Sequence, residues 1–399
     1  MGSYARQQTD VAGMEKDTLT MEVFSFNRVE IDIGALQTNF QSIQKIVGQQ
    51  VQVMAVVKSD AYGHGLLECA QALYRVGARH FGVAEVWEGV ALRRAGLEGE
   101  IIILLGGSPE AYEEIITHKL TPVVYDVDFI TGLSHAAAGK SCEVGVHLKV
   151  DVGMGRLGVL PAEVESYVSL IKRLPGITLS GLMSHFPVAD ETGAVEKTRE
   201  QLSHFRNILA ALQTKEAGPV VAHIANSAAL IYFPDTHLDM IRPGISLYGY
   251  FPDASPVRAG NVFPELQLQP VMSFKSRVVQ IKELEAGCGI SYGHTFVTRR
   301  KSRIAVVPVG YADGYLRRLF NRAEVLIGGR RAPVCGRVCM NATMVDITDL
   351  PPVHTGNEVV LMGRQENEEI SADEIAQWLE TISYEVLCLI GSFNNRVYV

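Results

Sequence analysis

Residues 51–65 read Val51-Gln52-Val53-Met54-Ala55-Val56-Val57-Lys58-Ser59-Asp60-Ala61-Tyr62-Gly63-His64-Gly65. The first seven are apolar with one exception, short enough and β-branched enough to form a strand buried on both faces. The run ends on a lysine. Inside such a strand a lysine would be desolvated at high cost, but at its end, beside Asp60, it can face a polar cleft. Burial and cationic neighbours lower a lysine's pKa and make its amine a nucleophile able to form a Schiff base. Tyr62, Gly63 and Gly65 then supply a permissive turn with a hydroxyl donor. Taken alone, a lysine closing an apolar strand is more often one that lays its stem along apolar surface and keeps its charge in water.

The same kind of run recurs on both sides. Short apolar runs lie near 51–57, 80–85, 101–105, 121–125, 144–150, 178–184, 220–224 and 238–242. Amphipathic stretches separate nearly all of them, at 66–77, 86–95, 109–118, 161–173 and 195–214. Eight strands alternating with helices over about 200 residues predict an α/β fold, an N-terminal (β/α)8 TIM-type barrel. A doubly wound sheet also alternates but requires no particular count of eight. Upstream, 24–33 alternates like a strand and 33–47 carries Leu36, Phe40, Ile43 and Ile46 at helical spacing. Residues 1–20 are polar and aperiodic, the pattern of a disordered tail.

Around 252–268 the composition shifts to Pro, Gly and polar residues, and beyond it the pattern turns to strands: 271–281, 303–309, 323–327, 332–335, 343–347 and 358–362. One helix is expected near 371–379, with Ser371 as N-cap and Glu374 completing a capping box. The expected division is therefore a tail at 1–20, a barrel at 21–262 and a mostly β C-terminal domain at 263–399.

Composition narrows the function. With 36 Lys and Arg against 44 Asp and Glu, the formal net charge is -8, which argues against nucleic acid or an anionic membrane as partner. No apolar run reaches membrane-spanning length, and the N-terminus lacks a long apolar core of the signal-peptide kind. The six cysteines form no CxxC pair, and Cys335 and Cys339 lack a second ligand pair, so reduced thiols in the cytoplasm are expected and no metal.

A barrel builds its active site at the C-terminal ends of its strands, where this chain places its unusual polar residues. Lys58 ends the first strand. Lys149 and Asp151 end the fifth, followed by Gly153-Met154-Gly155-Arg156. His185 ends the sixth, His223 and Asn226-Ser227 the seventh, and Arg242-Pro243-Gly244 the eighth. A single strand-end histidine has an ordinary structural explanation, but five strand ends converging on one face argue for a site.

The segments that carry these residues resemble those of the alanine racemase family. Residues 55–65 resemble its pyridoxal-phosphate lysine motif AVVKADAYGHG, with Ser59 in place of alanine. KVDVGMGRLG, HIANSA and MIRPGISLYG in the first domain, and GISYGHTF, GYADGY, GRVCMNATMVD and YEVLC in the second, match family segments in family order over residues 27–390. The resemblance implies a racemase that interconverts L- and D-alanine and supplies D-alanine for peptidoglycan. It implies pyridoxal 5'-phosphate carried by Lys58, which also serves as one catalytic base, with Tyr292 as the second base on the opposite face of the substrate. Tyr62, Asn226, Ser227, Gly244 and Ile245 would hold the phosphate. Arg242 would meet the pyridine nitrogen, with His185 beside the ring and bonded to Arg242. An arginine does not give up its proton, so the ring nitrogen would stay unprotonated and side reactions would be suppressed. Arg156 and the Met340 backbone N–H would bind the substrate carboxylate, and Tyr311 would line the entrance. Arg156 would also favour the phenolate that a basic tyrosine needs.

Lys149 would lie close to Arg156. Some family members carbamylate this lysine; the alternative is an ammonium paired with Asp151 or a bound anion. The family also implies a homodimer whose two sites each combine Lys58 of one chain with Tyr292 of the other. Two departures bear on specificity: Asn341 stands where the family has aspartate, and Ser392 where several members have tyrosine. They leave open serine or broader specificity on the same machinery. A non-catalytic pyridoxal-phosphate carrier would lack the second domain, and the related decarboxylases lack this motif set.

Overall fold

The computed structural model describes residues 25–191, 193–213, 220–252 and 263–399, so the tail read at 1–20 lies outside the described residues. β1 (Arg28–Ile31) and α1 (Ile33–Val47) open the chain, α1 capped by the Asp32 carboxylate accepting from the Ala35 amide. Eight parallel strands follow in the order anticipated: β2 (Gln52–Val56), β3 (His80–Val83), β4 (Glu100–Ile103), β5 (Thr121–Val124), β6 (Val144–Lys149), β7 (Ile177–Met183), β8 (Val221–His223) and β9 (Met240–Ile241). Between them run α2 (Lys58–Tyr62), α3 (Leu66–Arg75), α4 (Val86–Arg94), α5 (Tyr112–Thr117), α6 (Val127–Gly139), α7 (Val164–Arg173), α8 (Val195–Gln213) and α9 (Ser227–Tyr232). The ladder runs β8-β7-β6-β5-β4-β3-β2-β9. Amide bonds from Asp239 to the Ala222 carbonyl and from Arg242 to the Ala225 carbonyl bring the two ends together, making a barrel.

Register shows what fills it. Side chains paired across a ladder share a face. Met54 pairs with His80, His80 with Glu100, Ile102 with Thr121, Val123 with His147, and Met183 with both Lys149 and His223. Met54, Ile102, Val123, Met183 and Met240 form one buried cluster on that face, so it is the barrel interior. The interior therefore holds a column of polar side chains among its methionines and aliphatics. Gly181 makes room for it, since a Cβ there would lie 2.6 Å from the His147 ring.

The second domain is built around a seven-stranded sheet. Its main path runs Arg330–Pro333, Glu324–Ile327, Glu358–Gln365, Met272–Arg277, β1 and Arg396–Tyr398, with Glu368–Ile370 added on Glu358–Gln365. β1 thus precedes the barrel in the chain yet belongs to this sheet, a connection that a linear division at 262 does not express. The long strand expected at 271–281 is two strands. The Val278 amide bonds to Asn357 and the Val279 amide to Val306, so the chain changes partners there and Gln280–Leu284 joins a separate three-stranded sheet. α10 (Ala372–Leu379) is capped by Ser371 as expected, but Glu374 does not complete the box; its carboxylate takes Arg331 at 2.5 Å. α11 (Ser383–Phe393), absent from the sequence reading, packs against α2.

Candidate active site

Lys58 leaves the C-terminal end of β2 and enters an uncommon backbone. Ser59, Asp60, Ala61 and Tyr62 have φ of 55°, 55°, 54° and 55°. Left-handed geometry costs roughly 1–2 kcal/mol per non-glycine residue, so the turn persists only because its surroundings over-determine it. The Ser59 amide donates to Glu88 Oε1 at 2.7 Å, and the Leu66 amide to Asp60 Oδ1 at 2.7 Å. Arg396 pairs with the other Asp60 oxygen and donates to the Gly63 carbonyl at 3.0 Å. Asp60 is thus committed to Arg396 and does not partner Lys58. On the far side α11 presses close: a Cβ on Gly63 (φ 83°) would sit 2.7 Å from the Leu387 carbonyl oxygen. The turn is clamped between the two domains.

The Lys58 amine faces a cavity of about 400 Å³ at the barrel mouth, lined also by Tyr62, Lys149, Arg156, His185, Asn226, Ser227, Arg242, Gly244 and Ile245. Of the strand-end residues selected from the sequence, Lys58, Lys149, His185, Asn226, Ser227, Arg242 and Gly244 are on its wall, and Asp151 and His223 are not. Burial, and then the Arg156 charge, lower the Lys58 pKa, with Glu88 opposing. At one end Ser227 Oγ accepts from the Gly244 amide at 2.9 Å, and the Tyr62 hydroxyl lies where a Cβ on Gly244 would fall. Arg242 lies at the base, 4% exposed. Its Nη2 donates to the Ser184 carbonyl at 2.7 Å and to His185 Nδ1 at 3.2 Å, while Nη1 donates to His223 Nδ1 at 3.0 Å. Burial brings its pKa down to about 9, which leaves it charged at neutral pH.

His223 does not reach the cavity. It lies fully buried beneath Arg242 and contacts His147 at 2.9 Å. Lys149 has its pKa lowered to about 7, by burial and then by Arg242 and Arg156. Asp151 gives it no hydrogen-bonded partner: both carboxylate oxygens accept backbone amides, from Gly153 at 2.8 Å, Met154 at 2.7 Å and Gly155 at 2.8 Å.

Tyr292, Tyr311 and Met340 are not on this wall. They are 68%, 40% and 57% exposed on the second domain, gathered by backbone bonds from Tyr311 to Cys339 and from Ala312 to Met340, and by Ser291 Oγ donating to the Arg337 carbonyl. Ser392 is exposed and outside the cavity; the side chains α11 contributes are Tyr384 and Cys388. Sequence reasoning missed these two along with Glu88, His147 and Glu100. For Tyr384, Cys388 and the close-packed Gly391, an i, i+4, i+7 spacing was the available signal.

The residues fit pyridoxal phosphate. A lysine of lowered pKa stands on one wall, hydroxyl and amide donors gather at a glycine at one end, and a charged donor occupies the base. A barrel with this lysine-centred mouth, joined to a β domain, defines an enzyme built for Schiff-base chemistry on small molecules.

Two family models cover the chain, the alanine racemase N-terminal domain over residues 31–252 and the C-terminal domain over 271–398. The alanine racemase of Halothermothrix orenii is 44% identical over 369 residues, covering 92% of this chain and 96% of the relative. That of Syntrophobacter fumaroxidans is 43% identical over 374 residues, covering 92% and 98%. Among solved structures, alanine racemase from Clostridium difficile 630 superposes with a TM-score of 0.86 at 36% identity, covering 95% of this chain and 97% of that one. The Bartonella henselae alanine racemase with covalently bound pyridoxal phosphate gives 0.83 at 27% identity, covering 94% and 100%. The chain belongs to the alanine racemase family.

Proposed function

We infer that the chain interconverts L- and D-alanine using pyridoxal 5'-phosphate carried on Lys58. The observation that carries this reading is the amine of lowered pKa on a cavity wall that also presents Arg242 at its base and the Tyr62–Ser227–Gly244 donors at one end. Bound there, the cofactor supplies an electron sink that acidifies the substrate's α-hydrogen; the chain supplies position and proton transfer. Lys58 moves the proton on one face. Arg156, at the rim, takes the substrate carboxylate with the Met340 amide. Arg242 would donate to the ring nitrogen without releasing a proton and so would keep the sink weak, which favours return of the proton over transamination.

The second base is Tyr292 of a partner subunit. In its own chain Tyr292 is exposed on a patch with Tyr311 and Met340, away from the cavity. A two-fold dimer that laid this patch over the partner's barrel mouth would complete two equivalent sites. Lys149 is carbamylated in the working enzyme, which turns a third cation in the mouth into an anion facing Arg156. The product is D-alanine for peptidoglycan, made in the cytoplasm. Among the described residues no helix is long and apolar enough to cross a membrane.

Chiral chromatography of purified protein incubated with pyridoxal phosphate and either alanine enantiomer, with L-serine in parallel, tests the reading. Approach to equal enantiomers from both alanine directions is expected. Alanine left unchanged while serine racemises would replace the substrate assignment, and no racemisation of either would overturn the function.

A further inference from the structure

His223, His147 and Glu100 of the polar column inside the barrel have no part in the proposed function, and they end on an acid at the face opposite the site. Arg242 can only donate hydrogen bonds. His223 Nδ1, 3.0 Å from its Nη1, must therefore present a lone pair. A neutral His223 then carries its proton on Nε2, which lies 2.9 Å from His147 Nδ1 and donates to it. His147 in turn carries its proton on Nε2, which faces Glu100 Oε1 at 3.9 Å. Both rings are buried, and burial lowers the pKa of His147 to about 4 and that of His223 well below the ordinary value, so both are neutral. The guanidinium thus gives the column a single direction, and Glu100 supplies the negative end.

Glu100 is itself fixed, by His80 Nδ1 at 3.0 Å and Thr121 Oγ1 at 3.2 Å. All three stand at the first residues of their strands, the bottom of the barrel. Among the described residues Arg242 has no carboxylate of its own. A buried guanidinium without a counter-charge is strongly disfavoured, and the two hydrogen-bonded imidazoles lie between it and one, with an electrostatic contact of 3.9 Å as the last step.

We propose that Glu100 is a positioning residue for the cofactor site, acting through His147 and His223 to hold Arg242 in one orientation. The inference rests on the reading of Arg242 as the group facing the cofactor ring, and the experiment separates the two. Nitrogen-15 NMR of histidine-labelled apoprotein reads the tautomers without cofactor or turnover, and kcat and KM are measured on the loaded enzyme. In the parent protein His147 and His223 should each be a single Nε2-protonated tautomer. Glu100→Gln keeps the shape but offers both donor and acceptor without charge. It should mix the His147 tautomers and lower kcat by roughly ten-fold, as loss of an orienting outer partner does, with KM for alanine unchanged. Glu100→Asp should restore the single tautomer and much of kcat. His80→Gln, which touches only the other Glu100 oxygen, should match the parent in both readouts. The Glu100 side chain is one-third exposed, so water can solvate Gln at this position and the variants should fold, with Glu100→Gln melting below the parent and Glu100→Asp closer to it. Unchanged tautomers in Glu100→Gln overturn the proposal whatever the activity, and so does an equal loss of kcat in His80→Gln. Mixed tautomers with unchanged kcat break the link at Arg242 and refute its placement against the ring.

Discussion

Lys149 offers a quantitative test of how the mouth of the barrel is charged. Its pKa is lowered to about 7 by burial and by Arg242 and Arg156. At pH 8 about nine-tenths of such an amine is unprotonated, against about 0.3% for an ordinary lysine near 10.5, a gain of roughly 300-fold in the form that attacks carbon dioxide. Attack forms the N–C bond and releases one proton, so rising pH favours the carbamate, and the rise should fall between pH 6 and 8 instead of above 9. The assay is carbon-13 NMR of protein equilibrated with labelled bicarbonate. One carbamate resonance per chain is expected at pH 8, about ten-fold depleted in free amine by pH 6 and absent in Lys149→Met. Stability gives a second readout. Between the folded pKa and 10.5 the unfolded chain binds more protons at this site, so without bicarbonate stability rises with pH there. The cost of the buried amine should fall by roughly 2–3 kcal/mol between pH 6 and 9, narrowing the advantage of Lys149→Met. A carbamate signal missing at pH 8, or appearing only above pH 9, would refute the argument from burial and like charge.

Two further outcomes follow from the geometry. Mixing inactive Lys58→Ala and Tyr292→Phe subunits under exchange should return about a quarter of wild-type activity, since half the dimers are mixed and one of their two sites is intact; no recovery despite demonstrated exchange would place both residues in one chain. Arg396→Ala removes the clamp on Asp60 and the Gly63 carbonyl. A charged hydrogen bond discounted for partial exposure suggests a loss of about 1–2 kcal/mol, together with weaker cofactor binding as the left-handed turn relaxes; unchanged affinity measured by fluorescence titration would show that the turn holds itself.

The strands of the barrel were legible because strands covered on both faces are continuous apolar runs, and all eight were found within a few residues of their observed ends. Strand-end positions were legible for the same reason: Lys58 and His185 each follow such a run directly, and Lys149 and Arg242 stand at the ends of theirs. The polar column was not. His147 and Glu100 sit within or at the start of apolar strands, where one polar residue reads as noise, and only the register shows that they meet. The left-handed turn at 59–62 was hidden too, because of its four residues only Asp60 is of a type often found at positive φ; its cause lies in Glu88, Arg396 and α11, distant in sequence. α6 was missed although Phe129, Ile130, Leu133 and Ala137 stand at helical spacing behind an Asp126 cap; the small residues of its second half blur that stripe. A role for Tyr292, solvent-exposed in its own chain, was legible only through the family resemblance, since no periodicity or strand end marks it.

The pairing of β1 with both Met272–Arg277 and Arg396–Tyr398 has a consequence for how the molecule is made. The barrel is in effect an insertion between the first strand of the β domain and the rest of it. During synthesis the barrel strands emerge as one contiguous block and can associate while the ribosome is still at work, since domains generally fold as units from the N-terminus. β1, made before the barrel, has to wait unpaired until Met272–Arg277 follows the barrel and Arg396–Tyr398 completes its other edge. The final residues of the chain therefore close the second domain and also carry Arg396, which locks the turn behind Lys58. A nascent chain cut short by a few residues would hold a barrel with its lysine in place and the turn behind it held by Glu88 and α11 alone, without Arg396.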